Sequence, residues 1–328
     1  LKANPIFATA IGDLRYNDQL PDMFSAAYRA EQEARERDFL ARVQGLDRNA
    51  LSGQHRLSHD IFVADRESSL AGNRFPSWML PVNQFGNYGS FMAQLGSGQG
   101  LQPFREVKHY DDFLARIARF PVLNDSAIAN MREGMAAGVV QPVPVVEKSI
   151  PQFGAHVVDD VGQSVFWGPI RNMPAEFPDA ERERLTAAYR DAIANTLVPA
   201  YAKMRDFLRD EYLPKARTGV GQLHLPDGKA WYAHNVKVNT TTDLTPEEIH
   251  QFGLEEVARI LAEMNAVREQ VGFEGDLPAF FEHLGSSDQF YFKTEEEALQ
   301  AYRDVQQKIN PRLEQLFDIF PKADYEVR

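Results

Sequence analysis

Cysteine is absent from the 328 residues. That excludes disulfides, thiolate nucleophiles and cysteine-based zinc sites within this chain. It does not choose a compartment, because a cysteine-free protein folds in oxidising and reducing surroundings alike. No uninterrupted apolar run approaches the roughly 20 residues of a membrane span. The opening LKANPIFATAIGD lacks the basic-then-apolar pattern of a signal peptide. No Lys/Arg block of the kind that docks on anionic membranes is present, and a net charge of -12 argues against a nucleic-acid partner. Two motifs are also missing: the Gly-x-Ser-x-Gly elbow of serine hydrolases and the His-Glu-x-x-His of zinc peptidases. The tract Gly96-Ser-Gly-Gln-Gly100 lacks the Lys and Ser/Thr of a nucleotide-binding loop and reads as a flexible turn.

What is present is helical patterning. The hydrophobic fraction of 44% can fill a core, and a chain of this length suits one large helical body or two subdomains. Amphipathic helices are expected over 24–46 and 54–70, and a pair over 111–120 and 126–137 broken at Pro121. The strongest stripe runs through Leu185, Tyr189, Ile193, Leu197, Tyr201, Met204, Leu208 and Tyr212. It predicts a buried helix over 180–212, kinked at Pro199. Thr245-Pro-Glu-Glu248 has the spacing of a capping box, so a helix should start there and end before Gly272, with Ile249, Phe252, Val257, Ile260, Met264 and Val267 on one face. A short helix over 276–284 and another from Thr294 to Phe317 should follow. Residues 72–100 are rich in Gly, Asn and aromatics and suggest a turn-rich loop with room for a short helix. The Pro-rich stretch 141–178 is the best candidate for an internal junction. The expected fold is therefore mostly α, built of long antiparallel helices over 1–328. The ending Asp324–Arg328 reads as extended.

No catalytic residue and no metal ligand can be assigned within this chain. His55 and His59 share one helix turn and could approach one metal, but Arg56 stands where a catalytic Glu would be and no third ligand is evident. His156 with Asp159 and Asp160 reads as a solvated loop, and Glu282-His283 as a helix end. Two segments could line a substrate groove. One offers Asn83, Gln84 and Tyr88 (with Asn87), the other Tyr232 and His234 (with Asn235). Packing of a helical body would account for the same residues.

Four segments carry a resemblance: NPIFATAIGDLRYNDQLPD, LPVNQFG at 80–86, GVVQPVPVVEKSIPQF at 138–153, and LPDGKAWYAHNVKVNTTTDLTPEEIHQFGLEEVAR at 225–259. In this order they resemble the bacterial domain-of-unknown-function family 885, whose members look like helical zinc peptidases of the gluzincin kind. The resemblance implies one lobe of a two-lobed, channel-containing body. It implies that zinc, its ligands and the catalytic Glu reside in a carboxy-terminal half outside this truncated chain, which alone would be inactive and hold no cofactor. It implies a peptide or other small-molecule substrate and a bacterial envelope location, periplasmic or secreted, with the cytoplasm as the other option. The alternative from another class is a non-catalytic helical binding or scaffold protein.

Overall fold

The computed structural model describes residues 1–327. It is helical, with no strand among the described residues, only the isolated backbone pairings Val82–Asn87 and Pro142–Arg217. Two compact units divide at the Asp243–Leu244 boundary. Residues 141–178, where the sequence suggested a junction, lie inside the first unit. They are tied there by Gln141, whose backbone N–H reaches the Tyr212 hydroxyl (2.9 Å), and by the Val143 N–H, which donates to Arg217 O (3.0 Å).

The first unit contains α1 (Pro5–Ala10), α2 (Ala26–Gln44), α3 (Gly53–Gly72), α4 (Tyr88–Gly96), α5 (Val107–Ala137), α6 (Val143–Gly154), the short α7 (Gly168–Arg171), α8 (Asp179–Ala192), α9 (Val198–Phe207) and α10 (Gly228–Thr240). Its core is α5 packed against the α8–α9 helix, with α4 and α6 closing the sides. The expected break at Pro121 does not occur: α5 runs through it for 31 residues. Tyr110, Phe113, Ile117, Phe120, Leu123, Ile128 and Met131 are all buried on one face. That continuous burial outweighs the single hydrogen bond a proline removes.

The stripe predicted over 180–212 is buried along its whole length. Four residues advance an ideal helix by about 400°, so the four steps from Leu185 to Tyr201 would carry the stripe about 160° around the axis. A π turn at Ile193–Leu197, closed by the Val198 N–H to Ile193 O, widens the helix and keeps the stripe on the core. Pro199 stands two residues past this turn, in the first turn of α9. A second π turn, Leu208–Tyr212, does the same for the last two members.

Buried tyrosines tie this core to the loops. The Tyr110 hydroxyl donates to Pro169 O (3.0 Å), Tyr189 to Tyr110 O (3.1 Å) and Tyr201 to Gly89 O (2.7 Å). Burial pushes the Tyr110 phenol up to about 12 and Tyr201 well above its ordinary value. His156 packs its ring on Tyr201 at 4.6 Å. Burial lowers its pKa, so the folded state holds it neutral. Because the folded value is depressed, the stability tied to His156 is present above the unfolded value near 6.5 and is lost as pH falls through the folded value. We therefore expect His156→Phe to lose less stability than the parent between pH 7 and pH 5 in urea titrations. Equal losses would show that His156 is protonated without penalty.

The second unit, Leu244–Arg328, holds α11 (Pro246–Gln270), α12 (Leu277–Ser286) and α13 (Glu295–Ile309). The capping box at Thr245 and Glu248 is present in both directions, and Thr294 caps α13 as its spacing required. A 3-10 turn, Asn310–Gln315, replaces the last turns of the helix expected to reach Phe317, because Pro311 cannot continue the backbone ladder. Phe280 is the buried large apolar residue of this unit. Phe252, Val257, Ile260, Met264 and Val267 on α11 are all exposed. The face predicted for α11 is thus amphipathic but open to solvent. Of the extended ending, Arg328 lies outside the described residues; Asp324 to Val327 form no helix or strand.

A polar groove beside Trp78

The five residues proposed as groove contacts do not share one surface. Asn83 closes its own turn, its Oδ1 accepting from the N–H groups of Phe85 (2.9 Å) and Gly86 (3.1 Å). Gln84 gives its backbone carbonyl to Gln152 Nε2 (2.8 Å). Tyr88 is a core residue, and its hydroxyl donates to Asn124 Oδ1 (2.7 Å). Asn87 caps α4. On α10, Tyr232 is exposed, whereas His234 is half-buried against Phe75, with ring centroids 5.4 Å apart. Its Nε2 lies over Gly72, 3.0 Å from where a Cβ would be. The side chains of Asn83, Tyr88 and Asn87 are bonded within the fold and His234 is packed, whereas Gln84 Oε1 is buried without a hydrogen-bond partner and Tyr232 is exposed.

A polar groove forms at Phe75, the residue on which His234 packs. α2 and the turn Ser77–Met79 enclose about 360 Å³, lined among others by Arg29, Gln32, Glu33, Glu36, Asn73, Phe75 and Trp78. Arg29 lies over the Trp78 ring at 4.1 Å and donates to Phe24 O at 2.5 Å. A guanidinium on an indole face presents a flat, charged platform that can stack and donate at once. Glu36 is held by Arg66 (3.3 Å) and Ser69 (2.9 Å) from α3. Glu33 pairs with Arg37 (2.6 Å), one turn along α2. The Phe75 wall is braced from behind by Trp231, stacked nearly parallel at 5.5 Å, and by His234. His234 therefore supports a wall and does not line the groove. The sequence marked Trp78 and Glu36 only as an aromatic in a loop and a charge on a helix. No spacing rule links residues 29, 36 and 78, so their meeting could not be read from the chain.

Among the described residues, no three His, Asp or Glu side chains gather as metal ligands. His55 Nδ1 lies 2.9 Å from Ser52 Oγ, and His59 Nδ1 3.1 Å from Asp60 Oδ1. Asp60 is claimed by Arg48 through two 2.6 Å bonds, which hold its carboxyl well below the usual carboxylate range. These residues do not fit a zinc ion, which takes four donors in tetrahedral array. His156 is an aromatic packing partner of Tyr201 and Phe166, not a ligand beside Asp159 and Asp160. His283 sits in the last turn of α12 and packs on Phe273 and Phe290.

No helix among the described residues is long and apolar enough to cross a membrane. The chain is similar in fold to the crystal structure of the "putative lipoprotein from Colwellia psychrerythraea", with a TM-score of 0.84 at 18% identity. The alignment covers 98% of this chain and 58% of that one, so the chain spans less than two thirds of that protein's length. No curated protein matches it. The model of the family described as bacterial protein of unknown function, DUF885, matches residues 5–328, and the chain belongs to that family.

Proposed function

We propose that this chain forms a substrate-enclosing helical lobe of a larger protein that hydrolyses peptide or amide bonds with zinc held by residues outside it. The observation that carries the lobe's role is the groove beside Trp78. It offers a cation on an aromatic face, two carboxylates, two amides and the hydroxyls of Tyr28 and Ser77. Such a wall can bind and orient a polar ligand. The open apolar face of α11 and the 58% span of the related structure support a lobe within something larger. The hydrolytic part of the reading comes from the family resemblance alone.

The test compares the 328-residue chain with the complete gene product, by elemental analysis and by hydrolysis of a fluorogenic peptide library. The complete product should hold about one zinc per chain and cleave, as catalytic zinc sites do. The shorter chain should do neither. A complete product without zinc and without hydrolysis would refute the hydrolase reading and favour a binding or scaffold protein. The neighbour's description as a lipoprotein favours the bacterial envelope as its location in either case.

A further inference from the structure

We infer that the open face of α11 is the seat of one amphipathic helix with basic flanks, supplied by the part of the larger protein that lies outside residues 1–328. The inference rests on the lobe reading above and not on the hydrolysis. Val257, Ile260, Met264, Val267 and Val271 follow one another at alternating steps of three and four residues. That is the period of about 3.5 residues of a coiled-coil seam, which is matched by the seam of another helix. All five side chains are between 39% and 61% exposed. Isolated exposed apolar residues are ordinary, but a continuous row marks a contact surface. Among the described residues of the second unit, Phe280 alone of the large apolar side chains is buried, so the unit itself does not cover the row.

Charge decides what kind of helix fits. Residues 244–328 carry 18 Asp and Glu against 8 Lys and Arg, a net -10 of the chain's -12. Glu256 and Glu263 on α11 are shared with Arg259 (2.8 and 2.6 Å), so the excess acts as a field over the unit and not as single pairs beside the row. A second copy of the chain would bring the same -10 against this field, and an anionic lipid surface would be repelled in the same way. A helix with Lys or Arg beside its apolar stripe satisfies both the row and the field. The related structure points to the source. The match covers 58% of its chain, so a protein of this fold carries further polypeptide from which such a helix can come.

The test is hydrogen exchange of the α11 amides in the 328-residue chain and in the complete gene product. Exchange should be at least about 10-fold slower in the complete product, because only there is the row covered. The difference should shrink between about 50 mM and about 500 mM salt, as screening weakens the attraction. Val257→Gln combined with Met264→Gln should abolish it. The same pair should leave thermal unfolding of the 328-residue chain within about 2 °C of the parent, since both positions are exposed. Equal exchange in the two proteins would overturn the proposal, whether the face is open in both or already covered in the shorter chain. Protection that ignores salt would overturn it too, because it removes the basic flanks. A 328-residue chain that sediments as a dimer, and as a monomer with the two Gln changes, would hand the face to a second copy and overturn it as well. A complete product that shields α11 but neither holds zinc nor cleaves would refute the hydrolase reading and leave this inference standing.

Discussion

Replacing Arg116 by Met should destabilise the first unit by about 4 kcal/mol, as a loss of several buried bonds to a charged group would. Arg116 is fully buried on α5. Its Nε donates to Gln19 O (3.1 Å), Nη2 to Thr9 Oγ1 (2.9 Å) and Tyr16 O (3.3 Å), and Nη1 to Gln102 Oε1. No carboxylate is bonded to it; burial lowers its pKa to about 10, and Asp112 and Asp18 only partly offset that. One side chain therefore fastens the whole segment from Thr9 to Gln19 to the core, using bonds that lie about 100 residues apart in sequence. Met has similar length and can fill the space, so the loss reports the polar bonds more than a cavity. One main-chain carbonyl, Gln19 O, would lose its donor, at roughly 1–3 kcal/mol, while Tyr16 O keeps the Gln19 N–H (3.1 Å). Urea titration measures the total. Hydrogen exchange over residues 5–20 should accelerate first, since that segment loses its anchor while the α5–α9 core remains. Arg116→Lys should recover only part of the loss, because an ammonium cannot reach four separated acceptors as a planar fork does. A loss below about 1 kcal/mol for Met would mean that water replaces the guanidinium at little cost.

Arg116 also shows where sequence reasoning stops. Helices are visible in the chain because apolar residues recur at helical spacing, and the core stripe from Leu185 to Tyr212 was legible residue by residue. The capping box at Thr245 and the N-cap at Thr294 were equally local and equally legible. Arg116 had a signal too: it stands three residues after Phe113 and four before Phe120, on the face that must be buried. That position implies a partner for the charge but does not say which, since the partners come from a distant segment. The groove at Trp78 fails to be legible for the same reason. Arg29 and Trp78 are joined by the packing of α2 beside a turn, and no periodicity encodes that distance. Pro121 misled for a different reason. A proline's local cost is about 3 kcal/mol, whereas the buried face of α5 carries many apolar side chains at about 1.5–3 kcal/mol each.

The glycines give a second large effect with a built-in reversal of sign. Gly96→Ala should destabilise the protein by about 2 kcal/mol, in the range of an overpacked core. Gly253→Ala should stabilise α11 by about 1 kcal/mol, the helix-propensity difference between the two residues. The chemical change is identical, and the surroundings decide its direction. A Cβ at Gly96 would lie 2.4 Å from Phe166 Cδ1 and 2.6 Å from Phe113 Cζ. Neither ring can yield: both are buried, Phe113 is held edge-on by Phe104 at 5.5 Å, and the two rings are stacked with each other. A Cβ at Gly253 would meet nothing within 4 Å. The tract from Gly96 to Gly100 is thus a turn, as its composition suggested, but a packed one. Gly98 takes φ +80, and Ser97 Oγ accepts from the Gln99 N–H at 3.1 Å. Close approach of α4 to Phe113 and Phe166, and not flexibility, is what a glycine at position 96 provides. Thermal unfolding of the two variants beside the parent decides the matter. If Gly96→Ala were neutral, the aromatic cluster would have to relax by several tenths of an ångström at no cost, contrary to the packing density of protein interiors.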